Sequence, residues 1–357
     1  MYRRKLLQLF LLFVSAAVFS TPGSAVGGVY PNNDGINPPA PEPYTLGPGD
    51  SLGFLFVDEV SHVTINSGAT ISNQFSVSRS PLRLHDDASA TINGGLLRNA
   101  LTSGEPTIQA NNQSRVVIHG GRFESLNSFE EVLIARNSGQ VTIHGGEFYS
   151  SHSTNIHKFS RGDMVITGGN FLSEGSNSNL WLRLPGTTTV TGGTFRNLAN
   201  SVPQFGRGVT VTGGDLSFSG ASIDSAGQGI FVNATSSVVD LRGGSIQADH
   251  EGLSLFSGTV NLHGGQIAGS PDINQIGGEL NLIVRSALLN GVPVHPGLVT
   301  ATSGVFDVVY ADFSVARLDF LRTDGTLRIV EVPEPEIGAL LILAAVVLFS
   351  ARLSRSE

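Results

Sequence analysis

Between residues 60 and 270 the chain alternates apolar and polar positions in short bursts, each broken by a pair of glycines. The clear copies read VVIHGGRF, VTIHGGEF, MVITGGNF, TTVTGGTF, VTVTGGDL, VDLRGGSI and VNLHGGQI, with an eighth pair at Gly94 and a degenerate copy, HVTINSGATI, at residues 62–71. The first glycines fall at 94, 120, 145, 168, 192, 213, 243 and 264, so the unit is about 24 residues long. Aligned on these pairs, Ile118, Ile143, Ile166, Val190, Val211, Leu241 and Leu262 share one position. Val116, Val141, Met164, Thr188, Val209, Val239 and Val260 share another, two residues earlier. Period-two alternation describes a strand with one buried face.

Phe123, Phe148, Phe171, Phe195, Leu216, Ile246 and Ile267 follow the glycines and are expected to point back into the same core. The glycines themselves suit a sharp corner where no Cβ fits. Ahead of each burst lies a second apolar strand, as in VLIAR at 132–136, NLWLRL at 179–184, GIFVN at 229–233 and LSLF at 253–256. A unit this short cannot supply a four-stranded propeller blade, which takes ~40 residues. Tight hairpin signals are scarce within the repeats. Stacking equivalent strands in parallel on successive turns solves the pairing problem. The sequence therefore predicts an all-β fold, a right-handed parallel β-helix of about nine coils over 51–283. At ~4.8 Å per coil its length is on the order of 40 Å.

The ends differ from the repeats. Residues 26–50 are rich in Pro, Gly and Asn and read as a linker or N-terminal cap. Residues 284–331 read as a C-terminal antiparallel cap, with Asp324-Gly325 expected to turn a hairpin between two alternating runs. Arg3, Arg4 and Lys5 precede an apolar stretch from Leu6 to Phe19, and Gly23-Ser24-Ala25 offers small residues for cleavage. Residues 1–25 are thus predicted to be a secretory signal peptide. The last segment, 332–357, runs Val332-Pro333-Glu334-Pro335, then an apolar run from Ile337 to Ala351, then Arg352 and Arg355. Fifteen residues rise ~22 Å as a helix, short of the usual span, although flanking arginines can snorkel. Basic residues after the run suit a cytoplasmic end, with the body on the other side.

This tripartite tail resembles the PEP-CTERM sorting signal of Gram-negative bacteria. The resemblance implies that Val332, Pro333, Glu334 and Pro335 form a sorting motif read by an exosortase, a membrane-embedded transpeptidase. It also implies transient inner-membrane association through the tail, delivery to the cell surface or extracellular matrix, and a host that makes exopolysaccharide. An ordinary C-terminal anchor is the plainer alternative.

Composition narrows the chemistry. The formal charge is −8, and loss of the three cations Arg3, Arg4 and Lys5 would take it to −11. An acidic chain is a poor partner for nucleic acid and would be repelled by anionic polysaccharide unless a divalent cation bridges them. There is no cysteine, hence no disulfide, thiolate metal site or thiol nucleophile. The chain has 44 Gly, and Lys158 is the one lysine beyond the signal segment. Two sequons, at Asn112 and Asn233, carry little meaning for a Gram-negative host.

The repeat resembles the pectate-lyase-like superfamily, whose members cleave or bind polysaccharides with carboxylates clustered on adjacent coils. Sugar hydrolysis needs paired carboxyls at a controlled separation. Reading the aligned positions around Gly-Gly, including Glu147 and Asp215, brings no two acids side by side. No catalytic residue is therefore predicted, and a polysaccharide lyase or glycoside hydrolase is kept as the alternative. His119 and His144 are expected to stack ~4.8 Å apart on the outer face, without a third ligand of matching type. Asp86-Asp87 and Glu130-Glu131 are expected at turns, where either pair could hold Ca2+ with backbone oxygens, solvated turns being the commoner role. No other cofactor is predicted. Arg83, Gln109, Arg136, His157, Arg183 and Gln204 lie on or near successive upstream strands and, with Trp181, form the candidate glycan-contact face. The expected function is an exported structural or adhesive protein that binds exopolysaccharide. A passive spacer on the same solenoid is the third option.

Overall fold

The computed structural model describes residues 29–32, 43–73, 79–100, 104–126, 130–199 and 206–332. The signal segment, Gln204, Pro333, Glu334 and Pro335 lie outside the described residues. Among those described there is no helix, and so none long and apolar enough to cross a membrane. The fold is a parallel β-solenoid of about 9 turns between residues 55 and 282.

Each coil contributes three short strands. The first ladder stacks Phe54–Val57, Leu82–Leu84, Ile108–Ala110, Leu133–Asn137, Ile156–Ser160, Leu180–Leu182 and Val209–Val211. It then continues through the starts of Ile230–Ala248 and Leu253–Ala268 to Ile273–Gln275. The second ladder carries the strand before the glycines, for example Val116↔Val141 and Ile118↔Ile143. The third carries the strand after them, with Phe123↔Phe148, Phe148↔Phe171 and Phe171↔Phe195 in register. Their rings stack at centroid separations of 4.7, 4.7 and 4.6 Å. The inward aliphatics predicted from the alternation are buried throughout, and each contributes ~1.5–3 kcal/mol by leaving water.

The two glycines of a corner serve different needs. A Cβ on the first would run into the backbone one coil below, 2.8 Å from the His119 carbonyl oxygen at Gly145 and 2.5 Å from that of His144 at Gly168. The second adopts positive φ, as at Gly146 and Gly169 (both 111°), a region that side chains avoid.

One predicted copy occupies another corner. Val209–Val211 pairs with Leu180–Leu182 in the first ladder, so Val211 does not stack on Val190. The partner of Val190 is Phe218, and that of Phe195 is Ile223. The true corner of that coil is Gly220-Ala221, where a Cβ on Gly220 would come 2.6 Å from the Thr191 oxygen. Gly213-Gly214 turns the chain from first to second ladder instead, over Arg183 and Gly186. Leu216 accordingly belongs to the second ladder, opposite Thr188.

The ends also refine the expectation. The solenoid starts at Tyr44–Leu46, already parallel to His62–Ile65 within the region read as a cap. An antiparallel C-terminal cap is present: Ser303–Tyr310 pairs with Glu279–Leu289 on one side and Val315–Arg322 on the other. Asp324-Gly325 is not its hairpin. Val315–Arg322 and Thr326–Glu331 run parallel to Ile273–Gln275 and Glu279–Leu289, so Gly325 turns the corner of one more partial coil. It sits directly on Gly278, with room for no Cβ.

Candidate functional site

The outward positions of the first ladder form the face of interest. One row runs Phe56, Arg83, Gln109, Ile134, His157, Trp181, Thr210, Phe231, Ser254, Asn274 in continuous register. Of the predicted contact residues, Arg83, Gln109 and His157 share this row. Arg136 lies two positions further along, opposite Phe159. The backbone N–H of Arg183 bonds the Lys158 carbonyl, which places it beside the same edge.

Outward does not mean exposed here. Gln109 and His157 are buried, so neither is available as a contact residue. Gln109 spends its amide on Asn111 (3.1 Å) and accepts from Ser80 (3.4 Å). His157 donates from Nδ1 to Glu131 Oε1 at 2.7 Å and stacks on Trp181 with centroids 4.7 Å apart and planes 6° from parallel. The Arg183 guanidinium lies 5.4 Å from the Trp181 ring and 5.1 Å from Phe159, within cation–π range. Trp181 Nε1 donates to Thr212 Oγ1 at 2.9 Å, which fixes the indole plane.

Glu130-Glu131 is not the solvated turn that sequence suggests. Glu131 is buried behind the first ladder beside His157. Burial pushes its carboxyl up, but the hydrogen bond and charge of His157 outweigh that and hold it below the usual carboxylate range. Glu130 is driven the other way, to about 7, by burial, by the charge of Glu131 and by a shared hydrogen bond; Arg136 opposes the shift and Glu105 adds to it. Protonated Glu130 thus donates to the Glu131 carboxylate. Two carboxyls in hydrogen-bond contact share one proton. They leave no space for the sugar oxygen or water that a glycosidase pair at ~5–9.5 Å would flank.

Further along the face the surface opens. A recess of about 520 Å³ is lined by Arg207, Phe231, His250, Glu251, Phe256 and Asn274, and a smaller one of about 130 Å³ by Ser178, Trp181, Arg207 and Thr210. Arg207 belongs to both. Its guanidinium lies 3.8 Å over the Phe231 ring, and Nε donates to Gln228 Oε1 at 2.8 Å. Gln228 donates in turn to Glu251 (3.1 Å) and Ser254 (3.0 Å), and Asn274 to Glu251 (3.2 Å). Phe256 closes the side, 5.1 Å from Phe231. The result is a pre-formed recess walled by Phe256 and by Arg207 lying over the buried Phe231, with an ordered polar floor, the arrangement expected of a small-ligand cleft. Trp181 and Arg183 signalled it in the sequence, and Phe231 and Phe256 stood on recognised upstream strands without being assigned to the contact face. Arg207 was missed because the coils around it are uneven, 29 and then 21 residues between stacked first strands.

The remaining candidates lie elsewhere. His119 and His144 stack as expected, with centroids 5.0 Å apart, and His144 Nδ1 bonds Thr167 at 3.0 Å. Asp86 parts from Asp87. It adopts φ 53° and begins a polar ladder in which Asn112 donates to Asp86 (2.7 Å) and Asn137 to Asn112 (2.8 Å). Asp86 also converges with Asp58 and His85, their donor atoms all within 4.8 Å, the one such triad among the described residues. One imidazole and two carboxylates suit a transition ion better than calcium. Glu147 and Asp215 do not meet; Asp215 binds the Val238 N–H (2.9 Å) and is structural. On the third ladder charges pair with one another, Glu124 with Arg98 and Arg122 (both 2.5 Å) and Arg196 with Asp224 (3.1 Å). No protein-family model, curated protein or solved structure matches the chain.

Proposed function

We propose that this chain is an exported, non-enzymatic solenoid that is carried to the cell surface or extracellular matrix by its sorting tail and binds exopolysaccharide along the first-ladder face. Exosortase is the processing partner in this reading, and the tail provides transient inner-membrane attachment. The observation that carries the binding half is the ledge of Trp181 and Phe256 with Arg183 and Arg207, the last held in place over the buried Phe231 ring. Aromatic faces can stack on the apolar faces of sugar rings, and guanidinium groups supply forked donors to hydroxyls or uronate carboxylates. The overall negative charge disfavours non-specific polyanion binding, so contact is concentrated where these arginines stand.

The test is affinity electrophoresis and titration against a panel of exopolysaccharides, with the single Trp as a fluorescence reporter. Trp181→Ala, read by electrophoresis since it removes the reporter, and Phe256→Ala should each weaken binding roughly tenfold, about 1.4 kcal/mol, while Arg196→Ala on the third ladder leaves it unchanged. Equal binding by all three proteins would remove the ledge from the proposal. Release of reducing ends or unsaturated uronate would establish a polysaccharide lyase or glycoside hydrolase in place of the binding role. For the tail, intact mass from the native host with and without exosortase is decisive: a full-length C-terminus in both would make it an ordinary anchor.

A further inference from the structure

Exposed large apolar side chains cluster on the C-terminal cap: Leu288, Val292, Leu298, Phe313, Val315, Leu321 and Val330 are all there. Register brings part of this set together. Val330 pairs with Ile283 on the neighbouring strand. Across Ser286, Val309 faces Val315 on the strand beyond. The turn joining those last two strands carries Phe313, which is 69% exposed and sits at φ 66°. A bulky aromatic in the left-handed region is costly, and glycine or asparagine would relieve it. The ring is nonetheless held outward, with the Arg285 guanidinium 4.0 Å beneath it and Arg285 Nε bonded to the Ala311 carbonyl at 3.1 Å. Such a strained, supported aromatic points to a partner.

The chain leaves the described residues beside this patch. Val332 donates its N–H to Val284 (3.0 Å), and Val284 pairs with Tyr310, where the Phe313 turn begins. Two strand spacings, ~10 Å, separate exit and turn. Only Pro333, Glu334, Pro335 and Glu336 stand between Val332 and the apolar run that starts at Ile337. Fully extended, that link spans at most ~18 Å. Any bilayer that receives residues 337–351 therefore lies within reach of the cap.

We propose that the outer face of the cap, Phe313, Val315, Val309, Ile283 and Val330 with Arg285, is a membrane-seating surface that rests on the lipid interface while the tail is still attached. It rests on the reading that the tail enters the membrane. An aromatic ring and an arginine at headgroup depth are the side chains that interface favours. The seat would hold the sorting motif at a fixed height above the bilayer and leave the first-ladder ledge free of it.

The absence of cysteine makes the test clean. Val315→Cys and, as a distant control, Val60→Cys, which is 80% exposed, are labelled with nitroxide in the full chain. Each is reconstituted into phosphatidylethanolamine and phosphatidylglycerol vesicles, and co-flotation is measured alongside label accessibility. The expected result is co-flotation of both, with the label at 315 losing most of its collisions with a water-soluble relaxant and the label at 60 keeping them. Adding Phe313→Asp should restore access at 315 without loss of flotation. Co-flotation with equal access at both sites would overturn the seat and leave the tail reading intact. Failure to float would overturn both. Protection at 315 that persists without lipid would assign the patch to a second copy of the chain. Protection seen in native membranes but not in pure lipid would assign it to a protein partner.

Discussion

Phe171→Ala tests the core most directly. The Phe171 ring is 1% exposed and is sandwiched between Phe148 at 4.7 Å and Phe195 at 4.6 Å. Truncation removes the transfer free energy of the ring and two stacked pairs, each worth ~0.5–1.5 kcal/mol. The site cannot collapse to compensate, because the neighbouring rings hang from backbone ladders fixed at ~4.8 Å. The cost should therefore fall in the upper part of the range for buried phenylalanine, about 4–5 kcal/mol. Phe123 has one ring neighbour, Phe148, and an aliphatic partner, Leu97, on its other side. Phe123→Ala should cost about 1 kcal/mol less, one aromatic pair. Phe171→Leu keeps most of the volume and should cost about 1.5 kcal/mol or less. Urea unfolding followed by Trp181 fluorescence and far-ultraviolet dichroism gives the three values, provided the slopes agree. A Phe171→Ala loss below ~1 kcal/mol, typical of a surface change, would refute the idea of a rigid stacked column.

Lys158 points inward, is 1% exposed and, among the described residues, donates to the Ser160 carbonyl alone, at 3.3 Å. Burial lowers its pKa, with Asp163 and Asp215 opposing. The folded state thus holds this proton less tightly than the unfolded chain, so wild-type stability should rise as pH climbs toward the ordinary lysine range. Lys158→Met should abolish that rise and add about 1–3 kcal/mol at pH 7, read from thermal or urea midpoints. Glu130 has the opposite sign. Its carboxyl is raised to about 7, so the folded state favours the proton and stability should fall as pH rises from the ordinary glutamate value through 7. Partial exposure screens the effect to about 1 kcal/mol, and Glu130→Gln should flatten the profile over that window. Gly220→Ala should cost at least as much as Gly192→Ala, about 1–3 kcal/mol, since both would drive a Cβ to within 2.4–2.6 Å of a carbonyl oxygen below and Gly220 also sits at φ 69°. A harmless Gly220→Ala would restore the simple Gly-Gly register.

The solenoid was legible because its signal is repeated and its two constraints are local. Alternation tells inside from outside, and a glycine pair marks where one coil crosses closely over another. Those constraints do not say which corner a glycine pair occupies. VTVTGGDL matches the pattern because the turn over Arg183 and Gly186 is as crowded as the turn over Thr167. Only the pairing of Phe218 with Val190 breaks the tie, and nothing near Gly213 encodes it. Asp324-Gly325 misled for the same reason. A positive-φ glycine serves a hairpin and a solenoid corner equally, and the deciding partner, Gly278, lies 47 residues back.

The site was less legible because alternation reports direction and not cover. His157 and Gln109 point outward as predicted, yet both are buried. The polar residues that end the third ladder help to explain this. Ser125 bonds the Glu130 carbonyl at 3.0 Å, Ser173 the Ser153 carbonyl at 2.8 Å, and Asn197 the Asn177 and Arg207 carbonyls at 2.6 and 3.2 Å. Each fixes the chain as it returns toward the first ladder. Where that return brings in Glu131, it meets His157 and closes the face; where it brings in Arg207, it lies over Phe231 and leaves the recess beside it open. Coil length alone does not distinguish the two cases, since the same third-ladder anchor serves both. What differs is the side chain each return presents, an acid that pairs inward or a cation that stacks on a ring. The ledge therefore owes its position to the returns between strands more than to the strands themselves. Exchanging those returns between coils should move the binding surface along the rod without disturbing the core beneath it.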